Sequence, residues 1–267
     1  MEKIKVVIAG ASGNVGKELV KGIYQQPDLE LVGAFARRSA GQDVGEVAGI
    51  GRKGIIIGGN LGEVLATTRP DVLIDFTSAK IVMDNIRTAA EHKVNMVIGT
   101  TGINEQDLEE IRNLCATSGI KTIYAPNFAI TGILQMRIAQ YVAKFLPDAE
   151  IIEYHDNNKV DSPSGTSLKT AHMMREIRER FNADCHDEVF KLEGVRGGDL
   201  AGIKIHSIRV PGVISLQDII FGMPGQTLII RQECVTNAAF NDGVFLAVRK
   251  IKEIQGLVYG LESFFAL

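Results

Sequence analysis

A histidine, a lysine and two aspartates crowd into one polar stretch, HDNNKVDSPSGTSL, at residues 155–168. Upstream, Ala149 to Tyr154 reads as a strand; downstream, Leu168, Ala171, Met174, Ile177 and Phe181 recur at helical spacing. The crowd therefore sits on a strand-to-helix connection. Ser164, Gly165 and Thr166 put a turn at the helix start, where backbone N–H groups without internal partners can receive an anion. Lys159 adds positive charge, and His155 is a residue type that exchanges protons near neutral pH. Asp156 is an anion set in this same group. The spacing supports two readings. One is a pocket for a carboxylate or phosphate with a proton donor beside it. The other is an ordinary N-cap flanked by a solvated lysine and a structural histidine.

A second constellation lies near the N-terminus. The apolar run KIKVVIA (3–9) leads into GASGNVG and then the helical positions Val15, Leu19, Val20 and Ile23. Gly10, Gly13 and Gly16 fall where a strand turns into a helix. There one glycine permits the tight turn, one lets backbone approach a pyrophosphate, and one allows close helix packing. Ala11, Ser12, Asn14 and Val15 complete this candidate dinucleotide loop. After the next strand, ELVGAFA (30–36), come Arg37, Arg38 and Ser39, with no carboxylate to bind a ribose 2′-hydroxyl. Two guanidiniums there favour NADPH over NADH, with use of both left open. The alternative is two solvated surface arginines.

The elements that must position these residues change character along the chain. DVLIDFT (71–77), VNMVIGTTG (94–102) and IKTIYAPNF (120–128) are buried-strand runs separated by helical patterns, which implies a doubly wound parallel sheet of Rossmann type. Their carboxyl ends carry Thr77, then Gly99, Thr100 and Thr101, then Ala125, Pro126, Asn127 and Phe128, on the edge where ligands of such sheets bind. The glycine-rich segment 40–62 reads as a loop with one short strand at 54–57. After a helix at about 131–146 the alternation stops. The runs 203–210, 214–222 and 226–235 read as a meander in a smaller α+β domain with a mixed sheet. The expected organisation is a dinucleotide-binding domain, 1–128, completed by a C-terminal helix segment, 240–267, and a substrate-binding and oligomerisation domain, 129–239. Only two helices are available to cover the second sheet, which predicts a homo-oligomer.

Composition narrows the class. The chain is 45% hydrophobic and 23% charged with a net charge of −3, which offers no basic field for nucleic acid and no run long enough to span a membrane. A charged, alternating N-terminus in place of a signal peptide predicts a cytoplasmic protein. Cys115, Cys185 and Cys234 lack the spacing of a disulfide framework or a zinc site, so no metal is expected and all three read as small hydrophobes.

Several strings, in colinear order from residue 4 onward, resemble the dihydrodipicolinate reductase family. They are VVIAGASGNVGKEL, VLIDFTSA, VIGTTG, APNFAI, EYHDNNKVDSPSGTSLKTA, HSIRVPGVISLQDIIFG, PGQTLIIRQE and GVFLAVRKI. The resemblance implies NAD(P)H-dependent reduction of a small cyclic dicarboxylate, 4-hydroxy-tetrahydrodipicolinate, to tetrahydrodipicolinate in the diaminopimelate route to lysine. It implies His155 and Lys159 as the acid/base pair. Gly165 and Thr166 would bind a substrate carboxylate with Ser164 and Asp156 beside them, and Gly99–Thr101 and Ala125–Phe128 would hold the nicotinamide half of the cofactor. It also implies a homotetramer associating through the second-domain sheets. Two departures stand out: Asp156 occupies the place of a frequent second histidine, and a glycine usually found directly after the position of Ile130 falls one residue later. Asp156 motivates a second reading, a related dehydrogenase acting on another amino-acid-derived acid. A nucleotide-binding sensor without turnover is a third, against which the presence of His155, Lys159, Gly165 and Thr166 argues.

Overall fold

The computed structural model describes residues 2–182 and 188–265, and Cys185 lies outside them. The chain divides into two compact units, residues 1–128 with 237–261 and residues 129–236 with 262–267. The first begins with β1 (Ile4–Ala9), α1 (Asn14–Ile23), β2 (Leu29–Phe35), α2 (Val44–Ala48), β3 (Ile57–Gly58) and α3 (Leu61–Thr68). It continues through β4 (Val72–Asp75), α4 (Val82–Glu91), β5 (Asn95–Ile98), α5 (Glu105–Ser118) and β6 (Thr122–Tyr124). The second unit contains α6 (Ile130–Val142), β7 (Asp148–His155), α7 (Gly165–Ile177), β8 (Gly198–Leu200), β9 (Ile203–Arg209), β10 (Ser215–Met223) and β11 (Gln226–Cys234). The chain then returns to the first unit as α8 (Asn241–Lys250) and β12 (Leu257–Tyr259). The last residues belong to the second unit, where Glu262 pairs with Lys169 at 2.6 Å.

The first sheet is parallel throughout, in the order β12-β6-β5-β4-β1-β2-β3. Its inner strands are buried on both faces, which is why VVIA, VLID and MVI read as unbroken apolar runs. Strand order reverses direction between β1 and β4, and ligands of such sheets bind outside the strand carboxyl ends at that point. Segment 40–62 is more ordered than a loop. Asp43 accepts from the backbone N–H of Gly45 and Glu46, capping α2, and from Lys53 and Gly54 across the turn. A five-residue helix flanked by glycines is too short to register as periodicity.

The second sheet runs β11-β10-β7-β9-β8. The expected meander is only half present: β10 and β11 form a hairpin, but β7 inserts between β10 and β9, pairing antiparallel with the first and parallel with the second. Alternation places Ala149, Ile151, Glu153 and His155 of β7 on one face. Across the strands this face is layered. Ile151 lies beside Ile205 and Ile219, Glu153 beside Ser207 and Gln217, and His155 beside Arg209 and Ser215. The apolar layers pack with Ala139, Ala143, Ala171 and Met174 of α6 and α7. The sheet thus turns from core to polar site along its own strands. On the other face Ile229 is 56% exposed. No helix among the described residues is long and apolar enough to cross a membrane.

Candidate active site

In the first unit the β1–α1 turn is built for close approach. Gly10 has φ +85°, and a Cβ there would lie 2.2 Å from the Phe76 carbonyl oxygen; a Cβ on Gly16 would lie 2.1 Å from that of Gly10. Neither position tolerates a side chain, and the turn closes tightly enough for backbone N–H groups to meet a diphosphate. Gly13 precedes α1 with no side-chain cap, and the helix has no acidic residue in its first turn. Helices α3, α4, α5 and α8 each carry at least one there, whereas α6 has none. An uncompensated helix N-terminus attracts negative charge.

Gly13, Asn14 and Val15 line a cavity of about 400 Å³ together with Thr77, Gly99, Thr100 and Thr101. The turn, the β4 end and the β5 end therefore do converge. Ala11 is buried beneath the turn. Ala125 and Phe128 are also buried, Phe128 against Phe76 with ring centroids 5.6 Å apart, while Pro126 and Asn127 are half-buried. From this third loop any ligand contact would come from backbone or from Pro126 and Asn127. Arg37 and Arg38 follow β2 in exposed positions, and neither forms an ion pair among the described residues.

Beneath the cavity lies a residue that motif reading passed over. Asp75, fully buried at the end of β4, accepts from the hydroxyls of Thr77 (2.7 Å) and Thr100 (2.6 Å), the N–H of Thr77 (3.0 Å) and Nδ2 of Asn85 (2.7 Å). Burial pushes its carboxyl above the ordinary range more strongly than these donors pull it down. Both threonine hydroxyls face this carboxyl, so Thr77 and Thr100 knit the β4 and β5 loops together while bordering the cavity. The signal was an aspartate closing an otherwise apolar strand.

In the second unit His155 ends β7, its Nδ1 hydrogen-bonded to Glu153 Oε2. Arg209 forks onto the same carboxylate, Nη2 to Oε1 at 2.8 Å and Nη1 to Oε2 at 3.0 Å, and also donates to the Asp161 carbonyl at 2.8 Å. Burial would raise the Glu153 carboxyl, but hydrogen bonds from His155, Arg209 and Ser207 outweigh it and hold it at about 2. Lys159 Nζ pairs with Asp161 Oδ1 at 2.7 Å. One chain of contacts therefore runs His155, Glu153, Arg209, Asp161, Lys159.

Asp156 faces its own loop. Its carboxylate accepts from the N–H and side chain of Asn158 and from the N–H of Gly212, which hold it below the ordinary carboxylate range. It does not neutralise Lys159, whose partner is Asp161. Ser164 is 3% exposed and caps α7, accepting from the Ser167 N–H. Its hydroxyl, expected near substrate, is spent inside the turn. Behind it Ser167 donates to Gln217 (2.6 Å), which in turn donates to Thr170 and Gln135, anchoring the helix start to β10 and α6. Gly165 is exposed and Thr166 half-buried at the first turn of α7, which, like α1, has no acidic residue there. The late glycine, Gly132, sits buried inside the first turns of α6.

Comparison with known proteins agrees along the length of the chain. Residues 4–128 match the family model for the N-terminus of dihydrodipicolinate reductase and residues 132–265 the one for its C-terminus. The chain is 44% identical over 265 residues to a 4-hydroxy-tetrahydrodipicolinate reductase of Desulfitobacterium hafniense, covering 99% of each, and 41% identical over 260 residues to one of Listeria monocytogenes, covering 97% of this chain and 99% of the relative. A dipicolinate-bound dihydrodipicolinate reductase from Paenisporosarcina sp. TG-14 superposes with a TM-score of 0.84 at 36% identity, covering 98% of this chain and 100% of that one.

Proposed function

The chain belongs to the dihydrodipicolinate reductase family, and from that premise we propose which of its residues carry the reaction. The activity is that of 4-hydroxy-tetrahydrodipicolinate reductase, an oxidoreductase of the diaminopimelate and lysine route that draws on a pyridine nucleotide. The 4-hydroxyl leaves as water with a proton from the adjacent ring carbon, and the conjugated ring that results takes up one hydride and one proton. The hydride is what the reduced nicotinamide supplies when bound.

On the first unit, the bare turn at Gly10–Val15 and the N-terminus of α1 receive the diphosphate. Arg37 and Arg38 meet a 2′-phosphate, so NADPH is the preferred donor with NADH as an alternative. Gly99, Thr101, Pro126 and Asn127 border the nicotinamide half, positioned from below by Asp75, Thr77 and Thr100. On the second unit, the N–H groups of Gly165 and Thr166 hold a ring carboxylate, and Ser164 keeps the turn that presents them. Lys159 donates the proton to the ring position left electron-rich by hydride addition, and its charge stabilises that position beforehand. His155 orients the ring and shares the proton transfer. The exposed face around Ile229 is the surface for assembly into a tetramer, and the cytoplasm is the compartment assigned.

The observation that carries this reading is the convergence of the β1–α1 turn with the β4 and β5 ends around one cavity, with α7, like α1 and α6, starting without acidic side chains, here beside Gly165 and Thr166. The test is nucleotide oxidation with freshly generated substrate. Lys159→Ala should lower kcat by roughly 10²- to 10⁴-fold with little change in nucleotide KM; a small, equal effect on both would remove Lys159 from the chemistry. In the same assay, replacing Arg37 and Arg38 by alanine should move the NADPH/NADH preference on the order of tenfold toward NADH.

A further inference from the structure

We infer that Glu153 is a positioning residue for the reaction: together with Arg209 it fixes the tautomer of His155 and the placement of the loop that carries Lys159. The inference rests on the assignment of His155 and Lys159 above, and the geometry behind it is independent of that assignment.

Glu153 stands where the alternation of β7 calls for an apolar residue, on the helix-covered face one layer beyond Ile151. Its side chain has no solvent exposure, so its charge has to be met by protein. Two strands meet it, His155 on its own strand and Arg209 with Ser207 from β9, while Gln217, opposite on β10, turns its amide to Gln135 and Thr170. Arg209 takes both oxygens in a fork, the arrangement in which a guanidinium holds a carboxylate with fixed geometry. A carboxylate so held is ionised and can only accept hydrogen bonds. The proton in the contact with His155 must therefore sit on Nδ1, which leaves Nε2 as the nitrogen that can exchange a proton with a ligand. Nη2 of Arg209, one arm of that fork, also donates to the Asp161 carbonyl, and the Asp161 carboxylate holds Lys159. One buried charge thus sets both residues assigned to acid/base work, in the way that an orienting carboxylate serves a catalytic histidine elsewhere.

Glu153→Gln tests this with little change of volume. The amide keeps one acceptor oxygen, which the cationic fork of Arg209 claims, and turns its NH₂ toward His155. A donor there forces Nδ1 to become an acceptor and moves the proton to Nε2. The expected result is a fall in kcat of about tenfold or more with substrate and nucleotide KM within about threefold, and a change of His155 in ¹⁵N NMR from the Nδ1–H to the Nε2–H tautomer. The same substitution in a His155→Ala background should lower kcat little further, because the amide oxygen keeps Arg209, and with it Asp161 and Lys159, in place, so that what Glu153→Gln changes is the imidazole. Full additivity in that double variant, or kcat within about twofold of wild type for Glu153→Gln alone, overturns the inference. If Glu153→Gln does not fold, the wild-type spectrum decides, with His155 assigned by its loss in His155→Ala: a neutral His155 without a proton on Nδ1 overturns the inference. Unchanged kcat in His155→Ala would instead refute the role of His155, leaving the NMR result to judge Glu153 separately.

Discussion

Asp75 and Glu153 are both carboxyl groups sunk into a sheet near the carboxyl end of a strand, each surrounded by hydrogen-bond donors, and their protons behave in opposite ways. Asp75 is met by two hydroxyls, an amide and a backbone N–H, all neutral, and burial raises its pKa. Glu153 is met by a guanidinium fork and an imidazole, and its pKa falls to about 2. Neutral donors satisfy a carboxyl's geometry without repaying the loss of water around a charge, whereas a cation does both. The first unit has the neutral solution beneath the cavity proposed to hold an anionic nucleotide, where further charge would be unhelpful. The second has the ionic one beside His155, whose tautomer it is inferred to fix.

The strongest way to break this contrast is to remove each charge. Glu153→Ala leaves the half-buried Arg209 without its partner and should cost about 2–4 kcal/mol of stability, short of the full cost of breaking a fully buried pair. Asp75→Asn keeps a carbonyl acceptor for Thr77 and Thr100, and Asn85 can turn its amide to present oxygen, so its cost should stay below about 1 kcal/mol. Urea unfolding of the two variants measures both. A larger loss from Asp75→Asn than from Glu153→Ala would mean that Asp75 depends on its charge after all.

Acid sharpens the comparison because the two groups contribute with opposite sign. Glu153 is depressed from 4.5 to about 2 in the folded chain, so its contribution, about 3 kcal/mol, is complete above the unfolded value and lost as pH falls through the folded one. Asp75 is raised, so the folded state binds its proton before the unfolded state does. Its burial cost is relieved as pH falls through the folded value toward the ordinary 3.8. Unfolding midpoints from pH 7 down to pH 2 should therefore show the gap between wild type and Asp75→Asn widening in favour of wild type. The gap to Glu153→Gln should narrow below about pH 4.5. Parallel curves would show that neither shift contributes to stability.

Much of this architecture was legible in the order of residues. Buried parallel strands announce themselves as apolar runs, the glycines of residues 10–16 have a steric reason that the Gly10 and Gly16 contacts bear out, and the strand-to-helix connection around KVDSPSGT is present between β7 and α7. What escaped is what depends on distant partners. Asp75 meets Thr100 25 residues away, and Glu153 meets Arg209 56 residues away. Periodicity describes one element at a time and has no information on such pairs. For the same reason three successive β runs read as a meander although β7, some fifty residues earlier in the chain, takes the place between two of them. Edge strand β12, three residues long, carried too little pattern to register.

The smallest effect belongs to the carboxylate that looked most discordant. Asp156 is paired with neither a cation nor a buried hydroxyl; it accepts from Asn158 and from the Gly212 backbone at the surface of its own loop. Those donors prefer its charged form, which is why its pKa falls although no arginine or lysine meets it. It stands between the two buried cases, with neutral donors like Asp75 but with solvent available to the charge. Desolvation, the force that separates Asp75 from Glu153, is therefore weak here. Asp156→Asn keeps an acceptor oxygen for the turn, and it should leave the unfolding midpoint nearly unchanged and alter kcat/KM by about twofold. A loss of tenfold or more in kcat/KM with unchanged stability would assign the Asp156 charge to the substrate and not to the turn.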